Sequence, residues 1–477
     1  MNVNRKKAII LTVSLLCSVL FFVFGCQKEK FQSNASLKFS SDTVTIDTII
    51  TQLGSITKRK FKVHNPYNKS IHIKNIKLAK GANSEFIINV NGMGTGEQSD
   101  IEIKPNDSLF IFIQAKLNKN NVDTMVLHED KLLFTLDESV QEVCLRAWGR
   151  DATFYSKHSL QASTTWAAGT SVLILDSLIV PAGLTLTIEA GAMVLFKPKA
   201  NLVVNGTLVV KGTLENPVTF QGYRLQYDYQ QVPGQWGSII LGATSSGNLI
   251  KNTLIRNGTN GIQMLQSSKS TDVSLENVTI DFMSYAGLLC YGATIKAVNC
   301  VFGNCDYYDL KLCEGGNYTF THITIANVYT PYHMRNSSSV YINNYKTDGT
   351  TKTPKDLVAA IFNNSIIDGS QTNEFDADKL DGALYNVKFI SSILKQKVKN
   401  EYMDAKSFII PTNKKYKLFI NDIKNLGLDS ASIARDTGDI AVANLYPNDI
   451  KGRSRIVDGK PDIGAYEYFK DTTKIKK

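Results

Sequence analysis

The sequence predicts an all-β protein, a β-sandwich followed by a solenoid of parallel coils. Three observations carry this. From Leu37 to Trp148 short runs alternate apolar and polar residues and recur at a spacing of roughly a dozen. From Asn252 onward the tag Asn-x-x-(Ile/Phe) returns at nearly constant intervals. In neither part does a helix of ordinary length fit the pattern of apolar residues.

At 477 residues the chain is longer than one compact core usually carries, so two domains are expected. With 43% hydrophobic and 20% charged residues it has the composition of a folded protein. The net charge of +10 comes from scattered lysines and arginines, clustered only at "RKK" near the start and "KIKK" at the end. That distribution predicts weak attraction to anionic surfaces and no nucleic-acid partner.

Residues 1–25 have the order of a secretory signal. Arg5, Lys6 and Lys7 precede the apolar run "AIILTVSLLCSVLFFVF", which is followed by Gly25 and Cys26. The ending "VFGC" resembles the lipobox of bacterial lipoproteins, with Phe24 departing from the usual small residue. The resemblance implies that Cys26 becomes the lipidated N-terminus, that residues 26–36 form a linker, and that the protein is exported to the outer membrane. Several acyl chains there would anchor the protein stably. An uncleaved signal anchor is the alternative. The following "QKEK" is similar to the mixed-charge stretch that sends some lipoproteins to the cell surface.

Within residues 37–150, runs such as "VTIDTII", "IHIKNIKL", "LFIFIQA" and "VCLRAW" each bury one face, as antiparallel strands of a sandwich do. The order "KVHNPYNKSIHIKNIKL", "EFIINV", "IKPNDSLFIFIQAKL" resembles the immunoglobulin-like modules of the abnormal-spindle and hydin type, which are spacers or binding modules. His64 and His72 read as surface or hydrogen-bonded strand residues.

After "WGRDATFY" strand–turn units repeat. The tag starts at Asn252, Asn277, Asn299, Asn364 and Asn386, with His322 in the same role. Between His322 and Asn364 a further rung is expected at Asn343, with Lys346 in place of the apolar residue, so that every step lies near 22 residues. A repeat of this length fits one coil of three short strands, and asparagine suits a bend that requires left-handed backbone angles. The stretches "PAGLTLTIEAGAMVLF", "QWGSIIL" and "GGNYTFTHITIAN" resemble the right-handed parallel β-helix, or pectin lyase-like, superfamily. The end, "DIGAYEY", is similar to terminal segments of bacterial proteins in that class. Residues 153–468 are thus expected to form a β-helix with a C-terminal cap, followed by a basic tail at 469–477.

Beyond Cys17 and Cys26 five cysteines remain: Cys144, Cys290, Cys300, Cys305 and Cys313. Cys300 takes the place of Thr253, Val278, Ile323, Ser365 and Val387 in other coils, a small core slot, and Cys305 falls where Met283 and Val328 do. The odd count, without Cys-x-x-Cys or histidines at zinc spacing, predicts buried free thiols and no metal site. A single Cys290–Cys313 disulfide stays open.

Two functions stay open as well. Resemblance to β-helix enzymes implies aspartate pairs, or calcium with a basic residue, but Asn-Thr-Asp, Asp-Asp, Gly-His-Gly and Arg-Ile-Lys are all missing. "DADKLDG", from Asp376 to Gly382, reads as a solvated loop. Asp436, Arg453, Asp458, Asp462 and Glu467 read as a polar cover over the last coil. A carbohydrate-binding or adhesive surface lipoprotein, without cofactor, is therefore expected ahead of a polysaccharide lyase or glycoside hydrolase. For a ligand, coil register aligns Tyr285, Tyr307, Tyr308 and Tyr332, with Asp306, Asp309, His333 and Arg335 near the same phase. Tyr223, Tyr227 and Tyr229 lie on a preceding coil. Such rings suit the faces of sugars. The alternative is an aromatic stack that only packs a turn.

Overall fold

The computed structural model describes residues 31–54, 58–122, 124–265, 272–327, 335–410, 418–419 and 426–470. Cys26, Val328, Tyr332 and His333 lie outside them. The chain separates into two compact units, Met1–Arg150 and Asp151–Lys477.

The first unit is two sheets around one core. The larger orders Thr43–Ile50, Val140–Arg150, Val126–Leu136, Ile71–Leu78 and Gln98–Ile103; the smaller orders Lys38–Phe39, Arg59–His64, Ser108–Ala115 and Phe86–Val90. Alternation acts as expected: Leu109, Ile111, Ile113 and Ala115 point inward, and the residues between them stay partly exposed. One pairing departs from the antiparallel expectation. Thr43–Ile50 runs parallel to its neighbour Val140–Arg150, a geometry that needs the long connection the intervening strands supply. His64 bonds to Ser108 Oγ at 3.0 Å, and His72 Nε2 sits 2.8 Å from Asp100.

The second unit is a right-handed parallel β-helix. One flat is a nine-stranded parallel sheet running from His158–Ser159 to Phe375–Asp378. Nine strands at about 4.8 Å make an axis of roughly 40 Å. The other two flats join into an eighteen-stranded sheet folded along a line of left-handed residues. Those residues are Asn252, Asn277, Asn299, His322, Asn364 and Ser391, with φ of 44°, 55°, 52°, 52°, 46° and 48°. Amides link neighbouring rungs: Asn252 Nδ2 donates to the Gly212 carbonyl at 2.8 Å, and Asn277 Nδ2 to Asn252 Oδ1 at 3.0 Å. Inside, side chains stack in like columns, such as Phe320, Phe362 and Phe389 with successive centroids 4.9 Å apart.

Two rungs differ from the sequence expectation. Asn343 is no bend: it ends the strand Val340–Asn343 on the nine-stranded flat, and Thr324 pairs directly with Ile366. The step from His322 to Asn364 is one coil carrying two insertions, residues 328–339 and the hairpin Tyr345–Asp348/Thr351–Pro354. The last tag also shifts. Asn386 is within a strand, Phe389 pairs with Phe362, and Ser391 makes the bend, so Ser392 rather than Val387 occupies the small slot. Serine can take left-handed angles when local hydrogen bonds hold it, and Ser391 N donates to Asp404 Oδ1 at 3.2 Å.

All five cysteines among the described residues are free. Cys290 aligns with Leu312 and points into the core, whereas Cys313 aligns with Tyr291 on the outer face, so the two do not bridge. Burial pushes the Cys300 thiol up to about 12 and Cys313 up to about 11, which disfavours the reactive thiolate.

Among the described residues the C-terminal segment is more than a cap on the last coil. Residues 426–468 run along the side of the solenoid, over Val301, Ala326, Ile366 and Ile393 from successive coils. Asn299 Nδ2 donates to the Asn448 carbonyl at 2.9 Å, Ala465 N to Thr324 Oγ1 at 2.9 Å, and Gly464 N to the Asn364 carbonyl at 2.8 Å. Gly464 has φ of 104°, and a Cβ there would lie 2.7 Å from Ile366 Cδ1. That contact explains the glycine in "DIGAYEY". Lateral packing wins because the flat it covers presents a continuous apolar strip, whereas an end presents a single coil.

Candidate functional site

Outward positions on the nine-stranded flat align across coils as Gln263, Leu289, Lys311, Tyr341 and Asp376. Around Lys311 three half-buried rings from successive coils gather. Tyr285 and Tyr308 have centroids 5.9 Å apart, and Tyr308 and Tyr341 6.1 Å. Lys311 Nζ lies 5.0, 4.8 and 5.9 Å from the centroids of Tyr285, Tyr308 and Tyr341, and donates to the Tyr285 hydroxyl. Burial opposes its charge, but the Tyr285 hydrogen bond and the neighbouring phenols outweigh this and hold its pKa above the usual lysine value. Lys311 is therefore a permanently charged donor at neutral pH.

At the next coil the flat becomes acidic. Asp376 and Asp378 both point outward from the strand Phe375–Asp378, while Phe375 faces the core. The sequence placed these aspartates in a solvated loop; strand alternation instead puts both on one face. Tyr341 donates to Asp378 Oδ2 at 2.9 Å, Tyr345 donates to the same oxygen, and Lys352 Nζ donates to the Tyr345 hydroxyl at 2.8 Å. Burial and the charge of Asp378 push the Asp376 carboxyl above its ordinary value. The hairpin Tyr345–Asp348/Thr351–Pro354 follows Val340–Asn343 directly in the chain.

Of the residues singled out in the sequence, Tyr285, Tyr307 and Tyr308 come together, Tyr285 and Tyr307 having centroids 5.7 Å apart. Asp306 is buried beside them, its N donating to the Met283 carbonyl at 2.8 Å. Asp309 and Arg335 are not on the face. Both are buried, with no exposed surface at the carboxylate or guanidinium. Arg335 forks onto Glu374 at 2.6 and 2.7 Å, and Ser339 N and Oγ add bonds to Glu374 at 2.9 and 2.8 Å. Nearby, burial pushes the Asp309 carboxyl up to about 7, with Arg335 pulling it back and Glu374 adding to the rise. These are internal fastenings of an insertion, a role that position along the repeat does not reveal. Tyr223 and Tyr229 make separate contacts, under Lys197 Nζ at 4.2 Å and Arg224 Cζ at 3.5 Å.

Sequence reasoning missed Lys311, Tyr341 and Tyr345. Lys311 carried a usable signal, since it lies outward on the strand containing Tyr308. Tyr341 and Tyr345 could be aligned only by reading the long step as one coil.

No family model and no curated protein matches this chain. Among solved structures, the catalytic unit of a thermostable GH87 α-1,3-glucanase from Streptomyces thermodiastaticus is similar at 10% identity over 70% of this chain and 75% of that one, with a TM-score of 0.24. A family 123 glycoside hydrolase from Clostridium perfringens matches at 8% identity, with a TM-score of 0.19, over 26% of this chain and 30% of its own length. The ASH/PapD-like domain 7 of human CEP192 matches at 8% identity over 27% of this chain and 94% of that one, with a TM-score of 0.17. Similarity at this level carries no functional inference.

Proposed function

We propose that the protein is an exported lipoprotein, anchored through Cys26 in the outer membrane, whose β-helix binds carbohydrate on the Tyr285–Tyr308–Tyr341 face. The observation that carries the reading is the half-exposed ring cluster centred on a charged lysine. A stack serving only to pack would be buried like the Phe320–Phe362–Phe389 column, which is fully so. Half-exposed rings offer apolar platforms to sugar faces, and Lys311 with the phenol hydroxyls offers donors to sugar oxygens. A lysine held in its charged form is a poor proton-abstracting base, so the face favours binding over lyase chemistry.

A second reading rests on Asp376 and Asp378. Two residues along a strand have Cα atoms about 6.6 Å apart, a spacing that allows the carboxyl separation of inverting glycoside hydrolases. Asp376, its carboxyl pushed above the ordinary value by burial and by Asp378, would be the acid of such a site and the phenol-bonded Asp378 its base.

One experiment separates the readings. The detergent-extracted chain is screened against plant, host and bacterial glycans, scoring binding and product release. Tyr308→Ala and Lys311→Ala are each expected to weaken binding at least about tenfold, or about 1.4 kcal/mol, with Tm nearly unchanged. Undiminished binding, or early melting of both variants, makes the cluster structural. Product release that disappears in Asp376→Asn would move the assignment to hydrolysis, and no product from any glycan retires that reading. For the anchor, Cys26→Ser is expected to leave the membrane fraction or stay uncleaved; unchanged palmitate labelling of that variant would refute lipidation at Cys26.

A further inference from the structure

A cleft of about 540 Å³ opens on the other side of the β-helix, between the eighteen-stranded sheet and residues 445–452 of the lateral segment. We propose that this cleft is a second binding site, shaped for a neutral saccharide unit. The site is separate from the tyrosine face and does not depend on it.

The volume lies within the range of small-ligand sites, roughly 300–1,000 Å³. Its floor is made of outward side chains of three successive coils. Lys251 and Glu276 pair at 2.6 Å, and Ser274 and Lys296 are exposed neighbours in register. Lys296 has no ion-pair partner among the described residues, and its Nζ lies 5.9 Å from the Tyr446 ring centroid across the cleft. Leu214 and Leu445, 45% and 73% exposed, stand at the edges. An apolar rim over a floor of alternating donors and acceptors matches a molecule with apolar ring faces and hydroxyl edges.

The asparagine ladder points to the same place. Each rung should accept from the next, but Asn299 gives its amide to the Asn448 carbonyl and its Oδ1 accepts from Arg455 Nη2 at 3.1 Å. The lateral segment thus takes over Asn299, and the ladder stops at Asn277. Asn277 lines the cleft, and its Oδ1 has no hydrogen-bond partner among the described residues.

Charge makes the occupant neutral. Lys251 is matched by Glu276. Asp449, whose carboxylate accepts from Lys451 N at 2.8 Å, Arg453 N at 2.8 Å and Glu467 N at 2.9 Å, also lines the cleft, so its wall carries two lysines and two carboxylates. A uronate or phosphate would meet Glu276 beside the single unpaired cation, whereas hydroxyl groups bond to either sign.

Isothermal titration of the detergent-extracted full chain with maltose, cellobiose, laminaribiose and chitobiose tests the site, with digalacturonate as the charged counterpart. At least one neutral disaccharide is expected to bind. Ser274→Trp, which places a large side chain on the exposed floor, should abolish that binding without moving Tm. Lys296→Ala should weaken it at least tenfold, and Tyr308→Ala should leave it unchanged. The proposal is overturned if no neutral disaccharide binds, if only digalacturonate binds, or if binding survives Ser274→Trp. Binding lost in Tyr308→Ala but intact in Ser274→Trp would overturn the cleft and support the tyrosine face.

Discussion

Glu374→Ala is expected to destabilise the β-helix by about 3–5 kcal/mol, because it strands a guanidinium where water does not reach. Both side chains of the Arg335–Glu374 pair are fully buried, and the pair is bidentate. Arg335 also donates to the Ser337 carbonyl at 2.7 Å, so it cannot swing out without unfastening residues 335–339. A urea titration of the variant reads the loss, and a change under about 1 kcal/mol would show that water reaches the pair. Arg335→Met with Glu374→Leu should recover most of it, since replacing a whole buried pair by apolar groups is near neutral. The loss should also depend on pH. The buried Asp309 carboxyl, at about 7, ionises near neutrality. Its folded pKa is raised, so wild-type stability falls as pH climbs from the unfolded value towards about 7. Without Glu374, Arg335 favours the ionised Asp309 and that decline shrinks. The penalty of Glu374→Ala should therefore be smaller at pH 8 than at pH 5.

The architecture was legible where one residue's backbone demand repeats. Asn252, Asn277, Asn299, His322 and Asn364 were found because a left-handed bend admits few side chains. The same signal misled where even spacing stood in for backbone angle. Asn343 lies midway between two bends only because two insertions together match one coil's length, and Ser391 escaped because serine is seldom chosen there. The tyrosine face was partly visible, through Tyr285, Tyr307 and Tyr308, since those coils have no insertion between them. Tyr341, Asp376 and Asp378 join it only in the true register. Arg335 and Asp309 shared its phase but were taken inside by an insertion whose packing no repeat encodes. The lateral course of residues 426–468 was illegible for a related reason. Its partners, such as Asn299 for Asn448, lie about 150 residues away and recur with no period.

Ending the chain at residue 425 is expected to leave the β-helix unable to stay soluble. The lateral segment covers Val301, Ala326, Ile366 and Ile393, each at most 3% exposed. Uncovering such a strip along several coils creates a large exposed apolar patch, which leads to aggregation. The truncation also strips partners from the bends. The Asn299 amide loses Asn448, and Asn364 loses the paired bonds with Asp439, Nδ2 to its carbonyl at 3.1 Å and Oδ1 from its amide at 2.9 Å. His322 lies fully buried under this segment, with burial and then the Arg455 charge holding its pKa well below the usual imidazole value. Exposed, it would protonate near its ordinary value and weaken the rung as pH falls. A point variant tests the same contact more gently. Gly464→Ala forces a Cβ against Ile366 at a backbone angle alanine rarely adopts, so the segment should lift while the polypeptide stays whole. Dye binding to exposed apolar surface and hydrogen exchange at Thr324–Asn327 and Ile366–Gly369 would report it. Protection there equal to wild type in Gly464→Ala, together with a soluble and fully folded truncation, would mean that the β-helix carries its own side.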